Sequence, residues 1–241
     1  MSARLLAALA ALCLPLVGLT PAPAGAIVGG YQVTDDRFAF MASLQFAGQP
    51  GADGHFCGGS VVGERWILTA AHCIEQTGAA PAVVQVAVGR DNLEEDADQG
   101  QTLRVDRIEV HPDYRSTGTF DAALVHVTED IDAPAISLAR PGDDTHEAPG
   151  SRLTVAGWGS RLFLLGRVRP QLRAVDVKAV ADQRRGTTNG LLMQLTPESE
   201  ICAEKLLGDA CQGGSGGPLF PGVYAEVDNA SIHEFITSTL A

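Results

Sequence analysis

Basic residues are scarce in this chain. Lys and Arg number 17 against 29 Asp and Glu, a formal net charge of −12. That balance argues against nucleic acid and anionic membrane as partners, since both are held through basic patches. Glycine (27) and proline (13) supply many turns, without the period or low-complexity runs of collagen-like or disordered chains. No internal repeat or linker stands out in residues 27–241. No apolar run beyond residue 19 is long enough to span a bilayer. What is present is 241 residues, 45% of them hydrophobic, enough for the core of one large domain or two modest ones.

The first 26 residues read as a secretory signal peptide. Arg4 is their only charge, an apolar run covers residues 5–19, and Ala24-Gly25-Ala26 offers a small-residue cleavage site, with Ala22-Pro23-Ala24 as a second option. The domain is then 27–241, and its expected location is extracellular. Of the five cysteines, Cys13 leaves with the leader. Cys57, Cys73, Cys202 and Cys211 remain, in a compartment that permits disulfides.

Short β-like runs recur between turn residues, at 40–46, 59–62, 67–69, 83–88, 105–110, 122–127 and 153–156. With no long helical pattern between them, they point to an all-β barrel or sandwich. One helix is expected at the C-terminus, where Ile232, Phe235, Ile236 and Leu240 share a face. Ser231 with Glu234 forms a capping-box pattern at its start. Residues 93–101 read as a solvated acidic loop. Glu94, Glu95, Asp96 and Asp98 could offer oxygen ligands to calcium, but they lack a fixed ligand spacing.

Three elements carry chemistry. In Gly208-Asp209-Ala210-Cys211-Gln212-Gly213-Gly214-Ser215-Gly216-Gly217-Pro218, a serine is flanked by glycine pairs, which expose its hydroxyl and let backbone N–H groups turn toward a reacting atom. No Lys-Ser/Thr follows, which disfavours a phosphate loop. In Thr69-Ala70-Ala71-His72-Cys73 a histidine sits at the end of an apolar run. In Phe120-Asp121-Ala122-Ala123-Leu124-Val125 an acid enters an apolar strand, where burial without a donor would be costly. Each has a bland reading: a flexible loop, a packed histidine, a strand-start aspartate. Together they supply a base, an orienting carboxylate and a nucleophile in the order His, Asp, Ser. A zinc site from Cys57, His72 and Cys73 lacks a fourth ligand and a His-Glu-x-x-His helix. No metal or cofactor is called for.

With these stretches the sequence resembles the trypsin/chymotrypsin family of secreted serine proteases. Ile27-Val28-Gly29-Gly30, His55-Phe56-Cys57-Gly58-Gly59-Ser60, Ala156-Gly157-Trp158-Gly159 and Pro221-Gly222-Val223-Tyr224 match as well, in order, over nearly all of 27–241. The resemblance implies two packed six-stranded antiparallel β-barrels with a C-terminal helix and an active site between the barrels. It implies His72 as general base, Asp121 as its orienting carboxylate and Ser215 as nucleophile. The N–H groups of Gly213 and Ser215 would form the oxyanion hole. Asp209 would lie at the base of the pocket that selects Arg or Lys, where a carboxylate pairs with a desolvated cation; a turn residue is its bland reading. Cys57 and Cys73 match a family disulfide.

The chain also departs from the family. Gly214 stands where the family has an aspartate that receives the ammonium group of the new N-terminus, here Ile27. Glycine cannot accept it, so the N-terminus is expected to stay outside and the Gly213–Ser215 loop to be more mobile. Phe220 runs straight into Pro221, where the family has a strand, a substrate-binding Ser-Trp-Gly segment and a cysteine loop. The second barrel is therefore expected to be incomplete, with an unpaired edge. The deletion removes the family partner of Cys211, and that of Cys202 falls near Arg185; the two could pair with each other or stay free. No Arg or Lys precedes Ile27, so no trypsin-like activating cleavage is encoded. The reading is a monomeric secreted serine endopeptidase acting on proteins or peptides, after Arg or Lys. The alternative is an impaired or inactive homologue that binds a partner through the cleft.

Overall fold

A computed structural model describes residues 30–94, 99–117, 120–143, 148–159, 168–179, 203–204, 218–220, 222–223 and 229–241. Its first body is a closed six-stranded antiparallel barrel. The strands are β2 (Met41–Phe46), β3 (His55–Gly63), β4 (Trp66–Thr69), β5 (Val84–Val88), β6 (Gln101–Val110) and β7 (Ala123–Val127), joined in the order β2-β3-β4-β7-β6-β5. Their inward residues fill the interior; Leu44, Ile67, Val86, Leu103 and Val125 are at most 1% exposed. Gly59 is required at a tight point of this wall. A Cβ there would lie 2.7 Å from Ile67 Cγ2, 3.0 Å from the Leu68 carbonyl and 3.1 Å from Leu44 Cδ1.

The second body is a six-stranded sheet. Its path runs β1 (Tyr31–Gln32), β9 (Arg173–Ala179), β8 (Arg152–Gly157), β11 (Pro218–Phe220), β12 (Gly222–Val223), and β10 (Ala203–Glu204) also pairs with β9. Leu153, Val155, Val175, Val177 and Ala179 form its own apolar layer. Among the described residues this sheet does not close, as expected for an incomplete second barrel. β11 pairs directly with β12, Leu219 opposite Gly222, where the family pattern inserts a longer segment. β12 ends one side of the path, so among the described residues the strand at that edge is the one beside the deletion.

The two bodies share a core. Trp158, Leu172 and Ala174 from the second side are buried in one cluster with Val33, Leu93 and Met41. Backbone bonds stitch the seam: Leu93 N–H donates to the Pro170 carbonyl (2.8 Å) and Leu172 N–H to that of Asp91 (2.6 Å).

The C-terminal helix α3 (Ala230–Leu240) forms as the periodicity requires, burying Ile232 and Ile236 against Trp66, Leu68, Ala122 and Leu124. Its cap is not Ser231, however. Asn229 Oδ1 accepts from the N–H groups of Ser231 (3.0 Å) and Ile232 (3.3 Å), so the helix begins two residues earlier than the capping-box pattern predicts. Two short helices, α1 (Ala71–Glu75) and α2 (Tyr114–Thr117), fall where the sequence shows only chain between strands.

Candidate active site

Antiparallel pairing brings the predicted base and acid together. β4 and β7 pair with Trp66 opposite His126 and Thr69 opposite Ala123. The C-terminal end of β4 therefore lies beside the N-terminal end of β7. His72 follows β4 by three residues and Asp121 precedes β7 by two, so both stand at one rim of the barrel. Ala70 carries the chain in extended backbone into α1, whose Ala71, Cys73 and Ile74 are buried while His72 faces outward. The Cys57–Cys73 disulfide ties this turn to β3. Thr69 Oγ1 adds a bond to the Gly58 carbonyl at 2.8 Å.

Asp121 grips His72 twice. Its Oδ1 accepts from the His72 backbone N–H at 2.8 Å, and its Oδ2 accepts from Nδ1 at 2.6 Å. A carboxylate only accepts, so the Nδ1 proton is fixed and the neutral ring presents a lone pair at Nε2. Both side chains are partly exposed, 40% for His72 and 33% for Asp121. The hydrogen bond to Asp121 raises the imidazole above its ordinary 6.5; burial opposes it, and the charges of Asp121 and Glu75 add to the rise.

The sign of that rise sets a testable pH dependence. Folding favours the protonated ring, so this interaction's contribution to stability is full below about pH 6.5 and fades as pH rises through the folded value. In a pH titration followed by NMR, the His72 ring is expected to show a midpoint above 6.5. A midpoint at or below it would mean that Asp121 does not hold the ring in solution.

Ser215, Gly213, Gly214 and Asp209 lie outside the described residues, as do Ile27, Cys202, Cys211, Arg185 and the leader. In the acidic loop, Glu95, Asp96 and Asp98 also lie outside them. At the loop's base, buried Arg90 donates from Nε to the Gln99 carbonyl (2.7 Å) and from a terminal nitrogen to Thr102 Oγ1 (2.9 Å). A fixed cation at that point works against binding a second one. Cys57, His72 and Cys73 offer ligand atoms within 4.8 Å of one another. Their sulfurs are joined to each other, so neither can act as a thiolate ligand.

Sequence reasoning misses three neighbours of the pair. Burial holds the Tyr114 phenol above its ordinary range, and the nearby charges of Asp121 and Glu75 reinforce this, so it stays protonated. Phe120, just before Asp121, has φ of 57°, left-handed backbone that a bulky residue rarely adopts. His111 is 2% exposed and lies between that segment and α3. The signal for His111 and Tyr114 is the short His111-Pro112-Asp113-Tyr114 stretch directly after β6. None exists for Phe120.

Comparisons with known proteins show the family and the fold. A family model described as Trypsin matches residues 27–227. Trypsin alpha-4 of Lucilia cuprina is 33% identical, over 92% of this chain and 90% of its own. Trypsin delta of Drosophila melanogaster is 32% identical, over 92% and 91%. Among solved structures, the VesB protease of Vibrio cholerae superposes with a TM-score of 0.67 at 27% identity, covering 88% of this chain and 67% of that one. Human heparin binding protein superposes with a TM-score of 0.66 at 26% identity, covering 83% and 82%.

Proposed function

Since this chain belongs to the trypsin family of serine proteases, we propose that it is a secreted endopeptidase that cleaves peptide bonds after Arg or Lys through an acyl-enzyme on Ser215. The observation that carries the reading is the two-pronged Asp121–His72 contact, which leaves Nε2 as the acceptor. In this mechanism His72 Nε2 takes the Ser215 hydroxyl proton as the oxygen attacks the peptide carbonyl. The N–H groups of Gly213 and Ser215 stabilise the oxyanion, and His72 then gives its proton to the leaving amine. Water, activated by the same nitrogen, releases the acid product. Asp121 steadies the transient imidazolium. Asp209 supplies the charge that draws in an Arg or Lys side chain.

Residues 1–26 act as the leader and 27–241 as the protease domain, working as a monomer on proteins. Among the described residues no helix is long and apolar enough to cross a membrane. One fold neighbour is named for binding heparin, a polyanion, and a chain of net charge −12 is unsuited to such a ligand. The inactive-homologue reading draws on Gly214 and on the direct β11–β12 pairing.

A fluorophosphonate probe separates the two readings. The protein is expected to label, labelling is expected to vanish in Ser215→Ala, and Arg peptide substrates are expected to be hydrolysed in preference to Phe ones. Folded protein that does not label would sink the endopeptidase reading. Labelling without an Arg preference would remove Asp209 from the specificity pocket.

A further inference from the structure

Asp121 sits at the centre of a tight turn: Ala122 N–H donates to the Phe120 carbonyl at 2.7 Å, two residues back. Such a turn, entered through left-handed backbone at Phe120, persists only if its surroundings hold it. The holder is visible. The His111 ring stacks on Phe120 with centroids 5.0 Å apart and planes 16° from parallel. The His111 backbone N–H donates to the Ala122 carbonyl at 3.0 Å. One residue therefore touches the turn on both sides of Asp121.

His111 is itself held from α3. Phe235 meets its ring edge-on at 5.1 Å. Nε2 lies 3.2 Å from Ser231 Oγ and 3.4 Å from the Ser231 carbonyl. On the other side, Nδ1 accepts from the Asp113 N–H at 3.3 Å. With Nδ1 occupied as an acceptor, the ring proton is on Nε2 and points to Ser231. The same helix buries Ile232 and Ile236 against Leu68 of β4 and Ala122 beside Asp121.

We propose that His111 is a positioning residue: backed by Phe235 and Ser231, it braces the turn that aims the Asp121 carboxylate at His72. It touches neither substrate nor reacting atoms. The proposal deepens the protease reading, because its kinetic consequence rests on that reading. Its structural consequence, the quality of the Asp121–His72 contact, does not.

The test uses the full chain as expressed, with His111→Ala and Phe235→Ala, and with Ile236→Val as a control that thins the same helix contact without touching His111. The readouts are the His72 titration midpoint by NMR and, where the parent hydrolyses peptides, kcat and KM. His111→Ala and Phe235→Ala are expected to lower the midpoint by about half a unit or more, toward the ordinary imidazole value. They are expected to lower kcat about tenfold with KM within about twofold, the pattern of a misaimed catalytic group. Ile236→Val should lower the melting temperature and leave the midpoint and kcat alone. An unmoved midpoint in folded His111→Ala, or an equal shift in Ile236→Val, overturns the proposal. If His111→Ala does not fold, Phe235→Ala and Ser231→Ala decide it by the same criterion. A parent without hydrolytic activity would sink the protease reading while the NMR result still judged this one.

Discussion

Asp121→Asn is expected to lower kcat by about four orders of magnitude while the fold survives, the loss that a wrong imidazole tautomer costs a Ser-His-Asp protease. The reason lies in which oxygen does what. Oδ1 already accepts the His72 backbone N–H, and that donor cannot be satisfied by an amide NH2 group. The asparagine must therefore keep its carbonyl toward the backbone and turn its NH2 toward Nδ1. Two donors cannot face each other, so the ring proton moves to Nε2. That nitrogen can then no longer take a proton from Ser215. The loss of the carboxylate also removes the main cause of the raised His72 titration, so the NMR midpoint should fall in the same variant. Measured kcat in the neutral range checks the prediction. A loss smaller than about tenfold would show that Nε2 is not the proton acceptor, whatever the geometry suggests.

How this pair can be read from sequence, and how far, follows from the length scale of each signal. Several strands of the first barrel are local: β4, β5 and β7 are Val/Ile/Leu runs between turn residues, so 67–69 and 122–127 map onto β4 and β7 within one residue. The residue types at 72, 121 and 215 are also local, and their order suggests the chemistry. Their meeting is not local. It depends on Thr69 pairing with Ala123, a register set by the whole closed barrel and by no nearby residue.

β9 escapes the sequence pattern although Val175, Val177 and Ala179 alternate inward with Asp176 and Lys178 outward, since charged residues interrupt the apolar run that marks the other strands. The start of β6 escapes it for a related reason: Gln101, Thr102 and Arg104 look like loop, and only Leu103 points in. At α3 the face is legible but the cap is not, because Ser231 has the right side chain for capping and spends it on His111. Phe120 is the extreme case. Its left-handed backbone runs against residue preference and exists only because distant groups enforce it.

The departure at residue 214 leads to the second large expected effect: Gly214→Asp should raise kcat/KM by at least about a hundredfold, a few kcal/mol in a pair that is otherwise half missing. The family pattern places a carboxylate there to receive the ammonium of the residue here numbered 27. An ammonium group carried into a protein interior without an anion gives up its hydration for nothing, so with glycine at 214 an Ile27 ammonium is expected to stay in water. Supplying the carboxylate changes that balance, and the energy is released next to the N–H groups of Gly213 and Ser215, where oxyanion stabilisation is to occur.

The mechanism makes a second demand that a general gain in stability would not. The gain must depend on Ile27 being the first residue, because an ordinary peptide nitrogen carries no charge. A chain cut after Ala24, and so beginning with Gly25-Ala26, should show no gain from the aspartate; one cut after Ala26 should show all of it. N-terminal sequencing of each preparation, followed by kcat/KM on an Arg substrate, separates the cases. Equal rates for the parent and the Gly214→Asp variant, both beginning at Ile27, would move the limiting defect to the other departure. The missing segment between β11 and β12, which in the family pattern includes a strand, would then be expected to set the rate.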